Sequence, residues 1–302
     1  MNLNIKLLAD ICEAPGAPGH EQLIRKLILD QVRPLVDEIK IDNLGSVYAI
    51  KKGKSSEKRV MVAAHMDEIG FIVKHIDENG FLRFHTLGAF DAKTLTAQRV
   101  IVHGKKDVIG VMGTKPIHIM TAEEKAKPIS TTDFFIDLGL PHSEVVKLIT
   151  IGDTITRERQ LIEMGDCVNC KSIDNRVSVF ILLETLKLLK EIPYDVYAVF
   201  SVQEEVGIRG ANVAAHNINP SFGFGLDTTI AYDLPGSRPD EQVTKLGDGA
   251  AIKIMDSSTI CDFRMVKYQK EIAENFDIKW QLEILTAGGS DTAGIQRDGR
   301  TG

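Results

Sequence analysis

Val199-Phe200-Ser201-Val202-Gln203-Glu204-Glu205-Val206-Gly207 is the stretch on which the reading of this chain turns. Val196, Ala198, Phe200 and Val202 form an apolar, β-branched-rich run that stops at two adjacent carboxylates. A glycine follows, then a helix-like segment over 208–216. The pattern predicts a buried strand that delivers Glu204 and Glu205 to its carboxyl end, where open α/β sheets place their ligands. Neighbouring strand residues point to opposite sides, so the two glutamates are expected to do different jobs. A solvated strand end explains two acids equally well, and the rest of the chain has to decide.

At 302 residues the chain is long enough for one large domain, or one domain carrying a smaller one. Hydrophobic residues make up 43% and charged residues 26%, with no low-complexity tract, which excludes a disordered chain. A net charge of -6 argues against a nucleic-acid protein. The longest basic run, Lys51-Lys52-Gly53-Lys54 before Glu57-Lys58-Arg59, reads as a solvated hairpin loop. No apolar run is long enough to span a membrane, and the start lacks a signal-peptide pattern, so a cytoplasmic location is expected. Of the four cysteines, Cys12, Cys167, Cys170 and Cys261, two form Cys167-Val-Asn-Cys170. No second pair completes a zinc knuckle, so these thiols are expected to be structural and reduced.

Ile5, Leu7, Leu8 and Ile11 have helical spacing within 4–13, and Leu23, Ile24, Leu27 and Ile28 mark a second helix over 21–33. Strands are predicted at 36–41 and 46–50, around the turn Asp42-Asn43-Leu44-Gly45. Val60-Met61-Val62-Ala63-Ala64 is a continuous apolar run, hence a central strand buried on both faces, and it ends in His65-Met66-Asp67-Glu68. From 70 to 165 short alternating runs at 71–76, 81–86, 99–103 and 108–111 are separated by glycine and Asp/Asn turns, with one short helix at 143–148. That texture predicts a small β-barrel or sandwich inserted into an α/β chain. The α/β texture then resumes. A helix over 175–190 is so apolar that burial nearly all round is expected, and the run 222–226 leads to Asp227. A strand at 250–254, a helix at 264–276 and the alternating Ile278, Trp280, Leu282 and Ile284 follow, the last predicting a strand with one polar face. After Gly288-Gly289-Ser290-Asp291 no closing helix is expected before Gly302.

Four apolar segments thus border residues that bind divalent metals: His65, Glu204 with Glu205, Asp227, and Asp174 just ahead of its helix. One such acid commonly caps a helix or faces water, and Asp174 alone could be a helix N-cap. Four together, all outside the inserted part, favour a metal centre. Carboxylates plus imidazole suit zinc, cobalt or manganese, and the absence of cysteine among them points to a catalytic site.

His65-Met66-Asp67-Glu68-Ile69-Gly70, Ser172-Ile173-Asp174-Asn175-Arg176, Gln203-Glu204-Glu205-Val206-Gly207-Ile208-Arg209-Gly210-Ala211, Leu226-Asp227 and Gly288-Gly289-Ser290-Asp291 occur in that order. With Gly113-Thr114-Lys115-Pro116-Ile117-His118 in the inserted part, the chain resembles, over essentially its whole length, the dinuclear metallo-aminopeptidases that assemble as tetrahedral particles, the glutamyl, leucyl or deblocking type. The resemblance implies a zinc-exopeptidase α/β/α sandwich with a mixed sheet over 1–69 and 166–302, and a β-rich oligomerisation domain over 70–165. It implies that Asp174 bridges two divalent metals, His65 and Asp227 complete one of them, and Glu205 holds its neighbour. Glu204 matches the general base and Asp67 the acid that orients the metal-bound histidine, fixing its tautomer and basicity.

By the same resemblance, two metals about 3.5–4 Å apart share a water and lower its pKa. The hydroxide attacks the scissile carbonyl while Glu204 moves the proton to the leaving amine, and the substrates are short peptides with a free α-amine. Dimers would build a hollow tetrahedral dodecamer. The family pattern has one further histidine ligand beyond the Gly-Gly-Ser-Asp element, which suggests a carboxyl-terminal segment beyond the given chain. His20, His75, His85, His103, His118, His142 and His216 match no ligand position, and surface or packing roles are expected for those in the inserted part. Three rival readings remain open: a related dinuclear deacylase or carboxypeptidase, a non-catalytic assembly subunit, and a glycosidase using Glu204 and Glu205. The last is disfavoured, because its two carboxylates must flank a bond at about 5–9 Å.

Overall fold

A strand covered on both faces needs no polar side, and the unalternating run of residues 60–64 accordingly lies inside the larger open sheet. The computed structural model describes residues 3–299. In chain order, helices α1 (Ile5–Glu13) and α2 (Gln22–Val32) lead into strands β1 (Glu38–Ile41), β2 (Val47–Lys51) and β3 (Ser55–His65). Next come β4 (Gly70–Ile76), β5 (Leu82–Leu87), β6 (Arg99–His103), β7 (Asp107–Gly113), α3 (Ala122–Ala126), β8 (Phe135–Asp137), α4 (His142–Leu148) and β9 (Thr154–Arg157). A small ribbon, β10 (Ile162–Met164) with β11 (Cys167–Asn169), precedes α5 (Ile173–Leu188). Then follow β12 (Tyr194–Ser201), α6 (Arg209–Ile218), β13 (Phe222–Gly225), β14 (Ala250–Met255), α7 (Phe263–Asn275), β15 (Trp280–Ile284) and α8 (Asp291–Arg297). Among the described residues no helix is long and apolar enough to cross a membrane.

The chain forms two compact units. One is built mainly of residues 66–176, with the segment up to Asp30 and the tripeptide Glu205-Val206-Gly207. Its strands close into a barrel in the order β4-β5-β8-β7-β6-β9, every pair antiparallel. Alternation predicts which side chains fill it, and Phe71, Val73, Val100, Val102, Met112, Ile136 and Ile155 do so.

The other unit holds residues 31–65, 177–204 and those from Ile208 onward. Its mixed sheet has the order β1-β2-β12-β3-β13, with β12, β3 and β13 mutually parallel and β1, β2 and β12 antiparallel. Tyr48, Ile50, Met61, Ala63 and Val199 pack against Ala214, Ala215 and Ile218 of α6 and Ile295 of α8. The expected α/β architecture with a small barrel is therefore present.

Several local expectations fail for physical reasons. The basic stretch after β2 is no hairpin loop: β12 lies between β2 and β3, and residues 55–59 already belong to β3. Buried Asp195 anchors that stretch by accepting bonds from the Gly53 amide (2.9 Å), Ser56 Oγ (3.0 Å) and Lys52 Nζ (3.1 Å). Leu23 of α2 is exposed, and α5 leaves Ile181 and Leu188 in solvent, so it is covered on one side rather than all round. In β15 the alternation is inverted: Glu283 is buried while Leu282 and Ile284 are exposed. Lys253 draws Glu283 inward at 3.1 Å, itself held at 3.1 Å from Asp256. The segment after Gly-Gly-Ser-Asp does form a helix, α8, whose buried Ala293, Gly294 and Ile295 make an apolar face that periodicity over seven residues is too short to announce.

Candidate metal centre

Parallel strands of a sheet end on one edge, and in the larger unit His65, Glu204 and Asp227 lie at or just beyond that edge. β3 ends at His65, which lies opposite Ser201, the last residue of β12. Two residues past β13 comes Asp227, its strand end tied to β3 by the Leu226 amide on the Ala63 carbonyl (2.8 Å). His65 Nε2 lies 3.8 Å from Asp227 Oδ1 and 3.9 Å from Glu204 Oε2. With 2% of the imidazole exposed and little more than a tenth of either carboxylate, solvent screens these groups weakly.

Glu204 is not on the strand. β12 stops at Ser201, and Gln203 turns the chain with φ 55°. The Ile208, Arg209 and Gly210 amides then donate to the Glu204, Gln203 and Val202 carbonyls, at 2.8, 3.2 and 3.0 Å. A tight strand-to-helix turn, rather than strand alternation, therefore separates the two glutamates.

In the smaller unit Asp67 is fully buried, and its Oδ2 accepts the Glu205 backbone N–H at 3.1 Å. Asp174 and Glu205 each offer a carboxylate oxygen within 4.8 Å of the other. Asp174 has φ -74° and ψ 114° and Asn175 φ -117° and ψ 35°, both outside the helical region, so Asp174 stands ahead of the point where regular α5 geometry begins.

The smaller unit also buries charges whose role the local sequence pattern does not show. Glu68 and Arg176 are fully buried and Lys171 nearly so. Burial pushes the Lys171 ammonium and the Arg176 guanidinium down in pKa, and the Glu68 carboxylate opposes both shifts. Arg157 donates to the Lys171 carbonyl; burial lowers its pKa too, with Glu68 and Glu205 acting the other way. In the larger unit Ser201 donates to Asp291 Oδ2, both buried. The one signal of these charges in the chain was position: Glu68 and Arg176 lie within motifs otherwise read for their ligands, and Lys171 directly precedes one.

All four cysteines are free. Cys170 Sγ donates to the Arg159 carbonyl at 3.9 Å, and its pKa is lowered to about 6, chiefly by the neighbouring Cys12 thiol. His103 bonds Asp107 and Thr156 through its two ring nitrogens, and His142 Nδ1 meets the Asp77 carbonyl at 2.7 Å, so both have local partners within the barrel unit.

The donor set is imidazole plus carboxylate without thiolate, which suits a catalytic divalent cation. Carboxylates crowded at these distances repel one another unless positive charge lies among them. The sequence matches the family described as M42 glutamyl aminopeptidase over residues 45–301. The lysyl aminopeptidase of Pyrococcus furiosus is 33% identical, over 98% of this chain and 86% of that protein. Two solved structures agree in fold. The TET aminopeptidase of Thaumarchaeota archaeon SCGC AB-539-E09 superimposes with TM-score 0.94 at 34% identity, covering 97% of this chain and 84% of that one. The TET1 peptidase of Pyrococcus horikoshii, described as able to assemble into a tetrahedron or a large octahedral shell, has TM-score 0.85 at 29% identity, covering 98% and 88%. On this evidence the chain belongs to the M42 glutamyl aminopeptidase family and is a metal-dependent aminopeptidase.

Proposed function

We propose that this aminopeptidase holds two divalent cations on His65, Asp174, Glu205 and Asp227, with Asp174 shared, and removes amino-terminal residues from short peptides. One observation carries the reading: in the smaller unit Asp174 and Glu205 offer carboxylate oxygens within 4.8 Å of one another. In the larger unit the approach of Asp227 Oδ1 to His65 Nε2, at 3.8 Å, supplies the other pair of ligands. Zinc and cobalt suit this donor set best, with manganese the third candidate. When bound, such cations supply Lewis acidity, which polarises a peptide carbonyl and lowers the pKa of water.

The chain's own residues do the rest. Glu204 takes the proton of the attacking water and returns it to the leaving amine. Asp67, buried two residues from His65, supplies the charge that keeps the ligand imidazole oriented and basic. A free α-amine on the substrate would be received at the centre, where a blocked one offers no lone pair, which would make the reaction exopeptidic.

Self-association belongs to the same proposal, with a tetrahedral dodecamer as the assembly. Its support is the likeness to the P. horikoshii TET1 peptidase and the exposure of Ile109, Val111, Ile117 and Ile119 on the smaller unit. Light scattering of the native protein is then expected to return twelve times the monomer mass, and a monomer would refute the assembly.

The activity reading is tested by comparing aminoacyl anilides with their N-acetylated forms, before chelation, after it, and after adding back Zn2+ or Co2+. Cleavage of the free amine form alone, lost on chelation and restored by metal, is expected. Equal cleavage of the acetylated form would favour a deacylase, and activity untouched by chelation would remove the cations from the reaction.

A further inference from the structure

We propose that Glu68, Lys171 and Arg176 act together as a positioning brace for Asp174, so that this buried charged trio, and not the ligands alone, sets the affinity of the centre for its cations. The inference rests on the two-cation reading above.

The brace encloses the segment that carries the ligand. Lys171 stands three residues before Asp174 and Arg176 two after it. Lys171 Nζ donates to both Glu68 oxygens at 2.5 Å, and Arg176 Nη2 lies 3.8 Å from Glu68 Oε1. One carboxylate thus meets cations at both ends of the six-residue segment. Glu68 is itself fixed on the loop after α1: it accepts the Gly16 amide at 3.2 Å, while its own amide donates to the Gly16 carbonyl at 3.0 Å. Arg176 Nη1 grips the same region through the Ile11 and Ala14 carbonyls, at 2.5 and 2.9 Å, and the Ser172 hydroxyl donates to the Cys12 carbonyl. No slack remains beside it, since a Cβ on Gly16 would come within 2.6 Å of Arg176 Nη2.

Asp174 depends on these anchors because its backbone has left the helical path, so regular α5 geometry does not fix where its carboxylate points. Glu68, Lys171 and Arg176 sum to one positive charge, and all three are buried in the unit that also holds Asp174 and Glu205.

A buried ion pair can also serve the fold alone, and the experiment must separate the two roles. Co2+ affinity is measured by competition with a chromogenic chelator, together with the visible spectrum of the bound ion and the melting temperature. Glu68→Gln leaves two buried cations without their carboxylate, and Lys171→Met leaves Glu68 only the 3.8 Å approach of Arg176, so both are expected to melt earlier and to bind Co2+ about 10–100-fold more weakly. The double variant Glu68→Gln/Lys171→Met removes the close ion pair and leaves Arg176 on the Ile11 and Ala14 carbonyls, so it is expected to recover part of the lost melting temperature while keeping the weakened affinity and an altered spectrum. Lys171→Arg, which keeps the charge, should stay near wild-type affinity.

A double variant with wild-type Co2+ affinity and spectrum would overturn the proposal. So would one that cannot fold, since the trio would then be needed for the fold itself. If the single variants do not fold, the double variant decides. A wild-type protein that binds no Co2+ would instead overturn the two-cation reading.

Discussion

Gly210→Ala tests whether the turn after β12 positions Glu204. Gly210 is the second residue of α6, and its amide closes the turn on the Val202 carbonyl at 3.0 Å. A Cβ there would lie 2.5 Å from the Val202 carbonyl oxygen, 2.6 Å from the Val202 nitrogen and 2.8 Å from Ser46 Oγ. Ordinary contact begins at 3.4 Å, so α6 and the Val202 backbone would have to part by about 0.9 Å. Two of the three neighbours are main-chain atoms in the middle of the unit and cannot swing aside. Overpacking of this kind costs about 1–3 kcal/mol. Stretching the turn bonds of Ile208, Arg209 and Gly210 puts a further ~1 kcal/mol at risk for each bond lost. A total near 2–4 kcal/mol corresponds to a fall in Tm of roughly 3–6 °C for a chain of this size. Activity should fall further than stability suggests. Glu204 lies inside the displaced turn, and a misplacement of about 1 Å costs on the order of 100-fold. Thermal melting and kcat/KM on an aminoacyl anilide, measured below the onset of unfolding, read the two effects separately. A variant that melts within about 1 °C of wild type and retains its kcat/KM within about twofold would refute this account of the turn.

Glu204→Gln keeps the shape of the site and removes the proton acceptor, so kcat should drop about 10²–10⁴-fold while bound metal, counted by atomic absorption, is unchanged. Unaltered turnover would take Glu204 out of the mechanism. Asp195 supplies a pH test of the fold. Burial pushes its carboxyl up, but the Gly53 amide, Lys52 and Ser56 together outweigh that and hold it below the usual range. A depressed folded pKa adds stability above the unfolded value of about 3.9, and that stability is lost as pH falls through the folded value. Wild type should therefore outlast Asp195→Asn in urea at pH 7, with the gap closing below about pH 3; a gap of the same size at pH 2 would sink the assignment.

The class of architecture and the residues proposed as ligands were legible in the chain because both depend on local pattern. Unbroken apolar runs such as 60–64 report burial on both faces, and alternating runs between glycine turns report the barrel strands. His65, Glu204 and Asp227 could be read as strand-end residues because parallel strands that start together also finish on one edge. Pattern does not report which strands are neighbours. That β12 separates β2 from β3, making an anchored crossing of what read as a hairpin, follows from pairing across more than a hundred residues. Nor does it report electrostatic exceptions to burial. Glu283 faces inward because Lys253 meets it there, and Glu68 because Lys171, Gly16 and Arg176 converge on it from distant positions in the chain. The sequence by itself determined which atoms could bind a metal and move a proton. Tertiary structure decided where the two glutamates of the opening stretch stand, because Gln203 turns the backbone before them, and hydrogen bonds from α6 hold that turn closed.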